Sequence, residues 1–230
     1  MQWLEAIWTR EGKGIPKDAP KKTGLALALD ILAREWWELV KLNLLFLLAC
    51  LPLVTLPAAT FATARICHRM VQDQNVYLLR DFLEALRDGV LRATLWALVS
   101  GAGLVLGIYA IVTYGAEARS ALVYAVPLTV SLVATTFFAV ASTYFMMFSV
   151  AGPIRLASCV RKAALAALLR PLPVLAALAI VAILWLAHVA FYPVSVFMPA
   201  AINFSFGMFA IAFGAHGALA SGLAATGEDF

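Results

Sequence analysis

Four long stretches of this chain contain no Asp, Glu, Lys or Arg: residues 42–64, 93–116, 120–154 and 171–227, together 139 of 230 residues. A water-facing surface needs charges, so this absence excludes a soluble domain. Each stretch is long enough to cross roughly 30 Å of hydrocarbon. Polar–apolar alternation is lacking too. The strands of a membrane β-barrel alternate, whereas residues 122–140 and 172–191 are apolar nearly throughout. With 63% hydrophobic and 13% charged residues, the chain reads as an all-α membrane protein.

Other absences narrow the function. There are only three cysteines, Cys50, Cys67 and Cys159, with no CxxC spacing, which excludes a disulfide framework or zinc site. His68, His188 and His216 lie in separate segments and are not spaced as ligands, so no metal or other cofactor is expected. HExxH, Gly-x-Ser-x-Gly and phosphate-binding glycine motifs are missing, so no catalytic residue is expected and the chain reads as a non-enzyme. No ionisable residue falls in mid-membrane, which argues against ion-coupled transport through a buried carboxylate. The first 24 residues carry charges and no apolar run, so no secretory signal is read there and the N-terminus is expected in the cytoplasm. A net charge of +4 is more economically explained by membrane orientation and anionic headgroups than by nucleic acid.

The charges that are present count the crossings. If residues 42–64 form one crossing, Lys and Arg divide eight against nine between the two sides. If instead the chain turns back at Pro52 and Pro57, 16 of the 17 share one face and only Arg119 lies opposite. The positive-inside rule favours the hairpin, with Pro52, Thr55 and Pro57 as its turn. Its legs, 36–51 and 58–71, would span only about 24 and about 21 Å, so the hairpin is expected to be re-entrant or tilted rather than fully spanning. A five-crossing arrangement stays open beside it.

The expected fold is a bundle of five to six transmembrane or re-entrant helices with interfacial amphipathic helices. Residues 1–35 form a cytoplasmic or interfacial segment, 36–223 a single helical membrane domain, and 224–230 a short cytoplasmic tail. The helices are expected at about 36–51, 58–71, 93–114, 122–148, 172–191 and 200–223. The charge distribution leads one to expect a location in the cytoplasmic (inner) membrane with both termini inside.

Amphipathic patterning lies between these helices. Trp3, Leu4, Ile7 and Trp8 suit an interfacial helix, and Leu29, Leu32, Trp36 and Leu39 continue such a face. A further helix sets Leu79, Phe82, Leu83, Leu86 and Val90 on one side, with Arg80, Glu84, Arg87 and Asp88 mostly on the other. Its exposed side is a candidate partner-docking surface, carried by Arg80, Asp81, Phe82, Glu84 and Arg87. Asn43 and Asn203 are candidate polar contacts at depth, where amides usually bond between helices. Gly103-x-x-x-Gly107 fits close helix approach within the chain or in a homo-oligomer.

Three runs carry a family resemblance: LNLLFLLACLPLVT at 42–55, RMV at 69–71 and YLLRDFLEALR at 77–87. Together they resemble the YesL-like family of bacterial membrane proteins. The resemblance carries over to Asn43, Pro52, Thr55, Arg80, Asp81 and Phe82, without defined chemistry for any of them. It implies association with carbohydrate uptake systems of the ATP-binding-cassette (ABC) type, hence permease or ATPase subunits as partners beside the lipid bilayer. The run EALRDG at 84–89 is similar to the permease docking loop, but its glycine is one residue early. The function expected is therefore a non-enzymatic accessory protein of such an importer. A self-contained channel or carrier for a small neutral solute is the alternative.

Overall fold

The computed structural model describes residues 23–224, and every regular element in that range is helical. Helix α1 (Gly24–Ala49) leads through a 3-10 turn (Leu53–Thr55) into α2 (Leu56–Val71). Then follow α3 (Leu78–Asp88), α4 (Val90–Glu117), α5 (Ala125–Ala151), α6 (Leu156–Leu169), α7 (Pro171–Ala190) and α8 (Phe204–Ala224). The interfacial pattern of Trp3 to Trp8 lies outside the described residues.

Four segments are long and apolar enough to cross a membrane: Val90–Glu117, Leu122–Ala151, Pro171–Ala190 and Pro199–Ser221. The chain is thus a helical membrane protein. By length and composition the hairpin legs are not among the four spans. α2 has 16 residues and carries Arg65 and Arg69, and α1 contains Asp30, Arg34, Glu35, Glu38 and Lys41.

The first leg starts at Gly24 rather than residue 36. Residues 24–35 are rich in Ala and Leu, which favour helix, and nothing in them breaks it. The left-handed φ of +58° at Gly24, easy only for glycine, marks the entry. One face of α1 is buried at Ile31, Leu39, Leu42, Asn43 and Phe46, the helical repeat of a single stripe.

At the other end of α1, Pro52 precedes the 3-10 turn and Pro57 occupies the first turn of α2, where its missing N–H costs nothing. The Thr55 hydroxyl points at the carbonyls of Pro52 (2.6 Å) and Ala49. Far from this turn, Arg34 of α1 meets Asp73, just past α2, at 2.7 Å. Legs joined at both ends must run antiparallel.

α2 is the middle of the molecule. Ala59, Ala62, Ala64, Ile66 and Cys67 are wholly inaccessible, and the small side chains let neighbours approach closely. α3 runs back along it, held by Arg65 to Asp88 (3.3 Å) and Glu84 (3.8 Å), and by Arg69 to Asp81 (2.9 Å). Phe61 stacks edge-on against Trp96 of α4 at 5.4 Å between centroids.

α4 and α5 form a second antiparallel pair. Trp96 Nε1 donates to the Ser142 carbonyl (2.9 Å), and Arg92 donates to that of Ile154 (2.9 Å). A Cβ on Gly103 would strike the Phe138 ring and one on Gly107 would strike Thr135, so the GxxxG face is filled by α5 of the same chain. α6 packs back onto α5 through buried Cys159, and the Tyr144 hydroxyl donates to the Arg170 carbonyl (2.6 Å) where α6 meets α7. α7 and α8 pair so closely that a Cβ on Gly214 would lie 2.7 Å from the Pro173 carbonyl oxygen.

The last crossing departs from the expected regular helix. Residues Pro199–Asn203 form a π-turn before α8 begins at Phe204. The cause is a side chain inserted into the backbone ladder. Asn43 Nδ2 donates to the carbonyls of Pro199 (2.9 Å) and Ala200 (2.7 Å). Its Oδ1 accepts from the N–H groups of Phe204 (3.0 Å) and Ser205 (3.1 Å). The Ala200 carbonyl and the Phe204 N–H would bond each other in an α-helix; here each bonds the amide between them.

Candidate functional site

Asn43 uses its full hydrogen-bonding capacity, two donors and two acceptor sites, on one turn of backbone 156 to 162 residues away. It is completely buried, so it staples α1 to the opening of α8 and has nothing left to offer a solute. Asn203, equally buried, differs. Neither its Nδ2 nor its Oδ1 has a hydrogen-bond partner among the described residues. Buried polar atoms are usually paired, which makes Asn203 the anomalous group at membrane depth. Thr143 donates to the Ala139 carbonyl one turn back, a local bond that leaves its helix self-contained.

A cleft of about 330 Å³ opens where the free ends of α1 and α2 meet α8. Its wall combines Asp30, Arg34, Gln72, Asp73 and His216 with the apolar Leu27 and Ile31. Arg34 is oriented by Glu35 (2.9 Å) as well as Asp73. Nδ1 of His216 and of the neighbouring buried His68 are both enclosed without a hydrogen-bond partner among the described residues. The cleft can hydrogen-bond a small polar group against an apolar wall. Among the described residues no three His, Cys, Asp or Glu side chains gather to hold a metal ion.

The docking helix divides into two parts. Phe82 and Asp81 turn inward: Phe82 is 1% exposed, and Asp81 accepts from both Arg69 and the Tyr77 N–H. Arg80, Glu84 and Arg87 face outward, together with Leu79 and Leu83. The expected apolar face is therefore corrected. Leu79, Leu83 and Val90 are exposed, and the buried face is Asp81, Phe82 and Ala85. The two arginines of α2 decide this, because they draw the carboxylates of α3 inward or alongside.

At the far end of α7, His188 Nδ1 lies 3.0 Å from the Ser195 carbonyl oxygen and 3.1 Å from its hydroxyl. Ser195 donates to the His188 carbonyl at 2.7 Å, so its proton is not directed at the ring. This geometry ties the loop to the helix and does not activate a nucleophile. Cys67 and Cys159 are buried, and burial pushes the Cys159 thiol up, against the opposing pull of Ser149, Arg92 and Lys162.

The cleft, the Ser195–His188 tie and the π-turn have no signature in the sequence, because each joins residues that only the fold brings together. The one available signal was Pro199, which announces an irregular opening to the last helix.

The arrangement defines a helical membrane protein with the buried helix α2 at its centre and a charged end. Residues 39–112 match the model of a family described as a protein of unknown function, DUF624, the family of YesL-like proteins. The matched stretch covers the end of α1, the turn, α2, α3 and most of α4, and it includes all three runs that resemble that family. No curated protein matches the chain, and no solved structure does.

Proposed function

We propose that the chain is a non-enzymatic accessory protein of the bacterial cytoplasmic membrane, using α3 to dock a subunit of a carbohydrate importer of the ABC type. The observation that supports docking is the division of α3. Its inner face is locked to α2 by Asp81 and Phe82, while Leu79, Arg80, Leu83, Glu84 and Arg87 remain outward. A helix held rigidly from behind presents its front with little loss of conformational freedom on binding. The importer half of the reading rests on the YesL-like resemblance alone.

In this reading α1 and α2 enter from the cytoplasm and return to it, so six helices contact the bilayer and both termini stay inside. The charge distribution supports this, since 16 of 17 Lys and Arg then share the cytoplasmic side. A photocrosslinking residue at position 80 or 87 is expected to yield adducts with a permease or ATPase subunit in cells, and one at position 106 none. Absence of such adducts, together with recovery of the chain alone from several mild detergents, would refute docking.

A second reading, a carrier or channel for a small neutral solute, is favoured by one observation. The last span opens with a broken helical ladder beside the unpartnered amide of Asn203, and interrupted helices frame the binding sites of many carriers. It expects solute flux in liposomes holding this chain alone, reduced by Asn203→Leu; inert liposomes would sink it.

A further inference from the structure

A turn that meets water shows it polar groups. The turn between α4 and α5 does so, exposing Glu117, Arg119 and Ser120. The loop between α7 and the last span, residues 191–198, is built the other way round. Its polar groups point inward. Ser195 is buried, its hydroxyl donates to the His188 carbonyl (2.7 Å), and its N–H donates to the Phe191 carbonyl (3.1 Å). The Ser195 carbonyl accepts from the Met198 N–H (2.8 Å). The Tyr192 ring meets His188 edge-on at 6.5 Å between centroids. What is left outside is apolar: Phe191, Tyr192, Val194 at 88% exposure and Phe197 at 77%.

Two observations specify what covers this surface. No Asp, Glu, Lys or Arg occurs in residues 171–227, so neither the loop nor the helices beside it present a charge to a polar partner. The loop also continues a surface that already faces lipid. α7 is a membrane span, and Ile183, Leu186 and Val189 in its last turns are exposed just before Phe191. Aromatic and aliphatic side chains at the end of a span partition into the boundary between headgroups and acyl chains.

We propose that the loop 191–198 is a lipid-anchoring surface, with Val194 and Phe197 seated on the acyl side of the headgroup boundary and Phe191 and Tyr192 beside them. Its partner is the phospholipid leaflet at that end of α7. The inward hydrogen bonds of Ser195 hold the loop in the shape that presents these side chains. Pro199 follows directly, so the anchor sets where the last span, with its π-turn and Asn203, enters the bilayer. The surface stands apart from the docking face of α3 and does not depend on that reading.

The test uses the full chain in the Cys50→Ser background, reconstituted into vesicles of phosphatidylethanolamine and phosphatidylglycerol. A nitroxide is attached in turn at Val194→Cys and Phe197→Cys, at Leu106→Cys as a lipid reference and at Ser120→Cys as a water reference. All four positions are exposed, so the label displaces no packed side chain. Power saturation then compares collisions with oxygen, which concentrates in lipid, and with a water-soluble nickel chelate. At positions 194 and 197 oxygen is expected to win, as at 106, with the preference reversed at 120. A preference for the nickel chelate at 194 and 197 would place the loop in water and overturn the proposal. Poor access of both reagents would overturn it as well, because the surface would then be covered by protein.

Discussion

Helices α2 and α4 stand at opposite extremes. α2 has 16 residues and buries 11 of them, whereas α4 has 28 and buries only Ala93 and Ser100. Yet α4 qualifies as a membrane span and α2 does not. In water the more apolar helix would form the core. In a bilayer the hydrocarbon receives the large apolar side chains, and the protein's interior is built from small residues and paired polar groups. Long apolar runs therefore mark what faces lipid here, and the short run interrupted by Arg65 and Arg69 marks the centre.

Substitutions can break this contrast. The largest effect is expected at α2: Ala62→Leu adds volume where no surface is free and should cost about 1–3 kcal/mol. Asn43→Leu comes next, about 1–2 kcal/mol. It strands several groups, but the Ala200 carbonyl and Phe204 N–H can then pair with each other and recover part of the loss. Asp81→Ala removes the anchor of α3 on Arg69 and the partner of the Tyr77 N–H, and should cost about 1 kcal/mol. It should also open the segment 73–77 to protease. Leu106→Ala on the lipid face of α4 is expected to change stability by less than about 0.5 kcal/mol. Melting of the monodisperse protein in one detergent ranks all four. A large effect of Leu106→Ala beside a small one of Ala62→Leu would invert the contrast.

The cysteines sharpen it at smaller scale. With Cys159 buried and its thiol pushed up, little reactive thiolate exists near neutral pH. Alkylation of the folded protein at that site should be at least about tenfold slower than at an introduced Gln74→Cys, rising as pH becomes alkaline. Equal rates at neutral pH would mean that α6 does not pack on α5 as described.

How much of this was legible follows from the range of each interaction. The proline turn is local chemistry, and the α4, α5 and α7 boundaries follow hydropathy, so these lie within a few residues of expectation. The start of α1 escaped because charges interrupt a sequence that is nonetheless strongly helix-forming. The outward turn of Leu79 and Leu83 escaped because the ion pairs that orient α3 come from Arg65 and Arg69 of the preceding helix, outside the window that sets its own periodicity. The π-turn depends on Asn43, 156 residues from Pro199, and the cleft draws on three helices. No window of sequence contains either.

The folded-back hairpin carries the topology, and one labelling experiment reaches it directly. Cys67 and Cys159 are buried, so Cys50→Ser leaves a background without an exposed thiol among the described residues. Single cysteines are then introduced for Gln74, between α2 and α3, and for Ser120, between α4 and α5, both exposed positions. In intact cells a membrane-impermeant maleimide is expected to label Ser120→Cys and to reach Gln74→Cys only after the membrane is opened. Labelling of Gln74→Cys from outside would contradict the hairpin and put α2 across the membrane as the end of a single crossing.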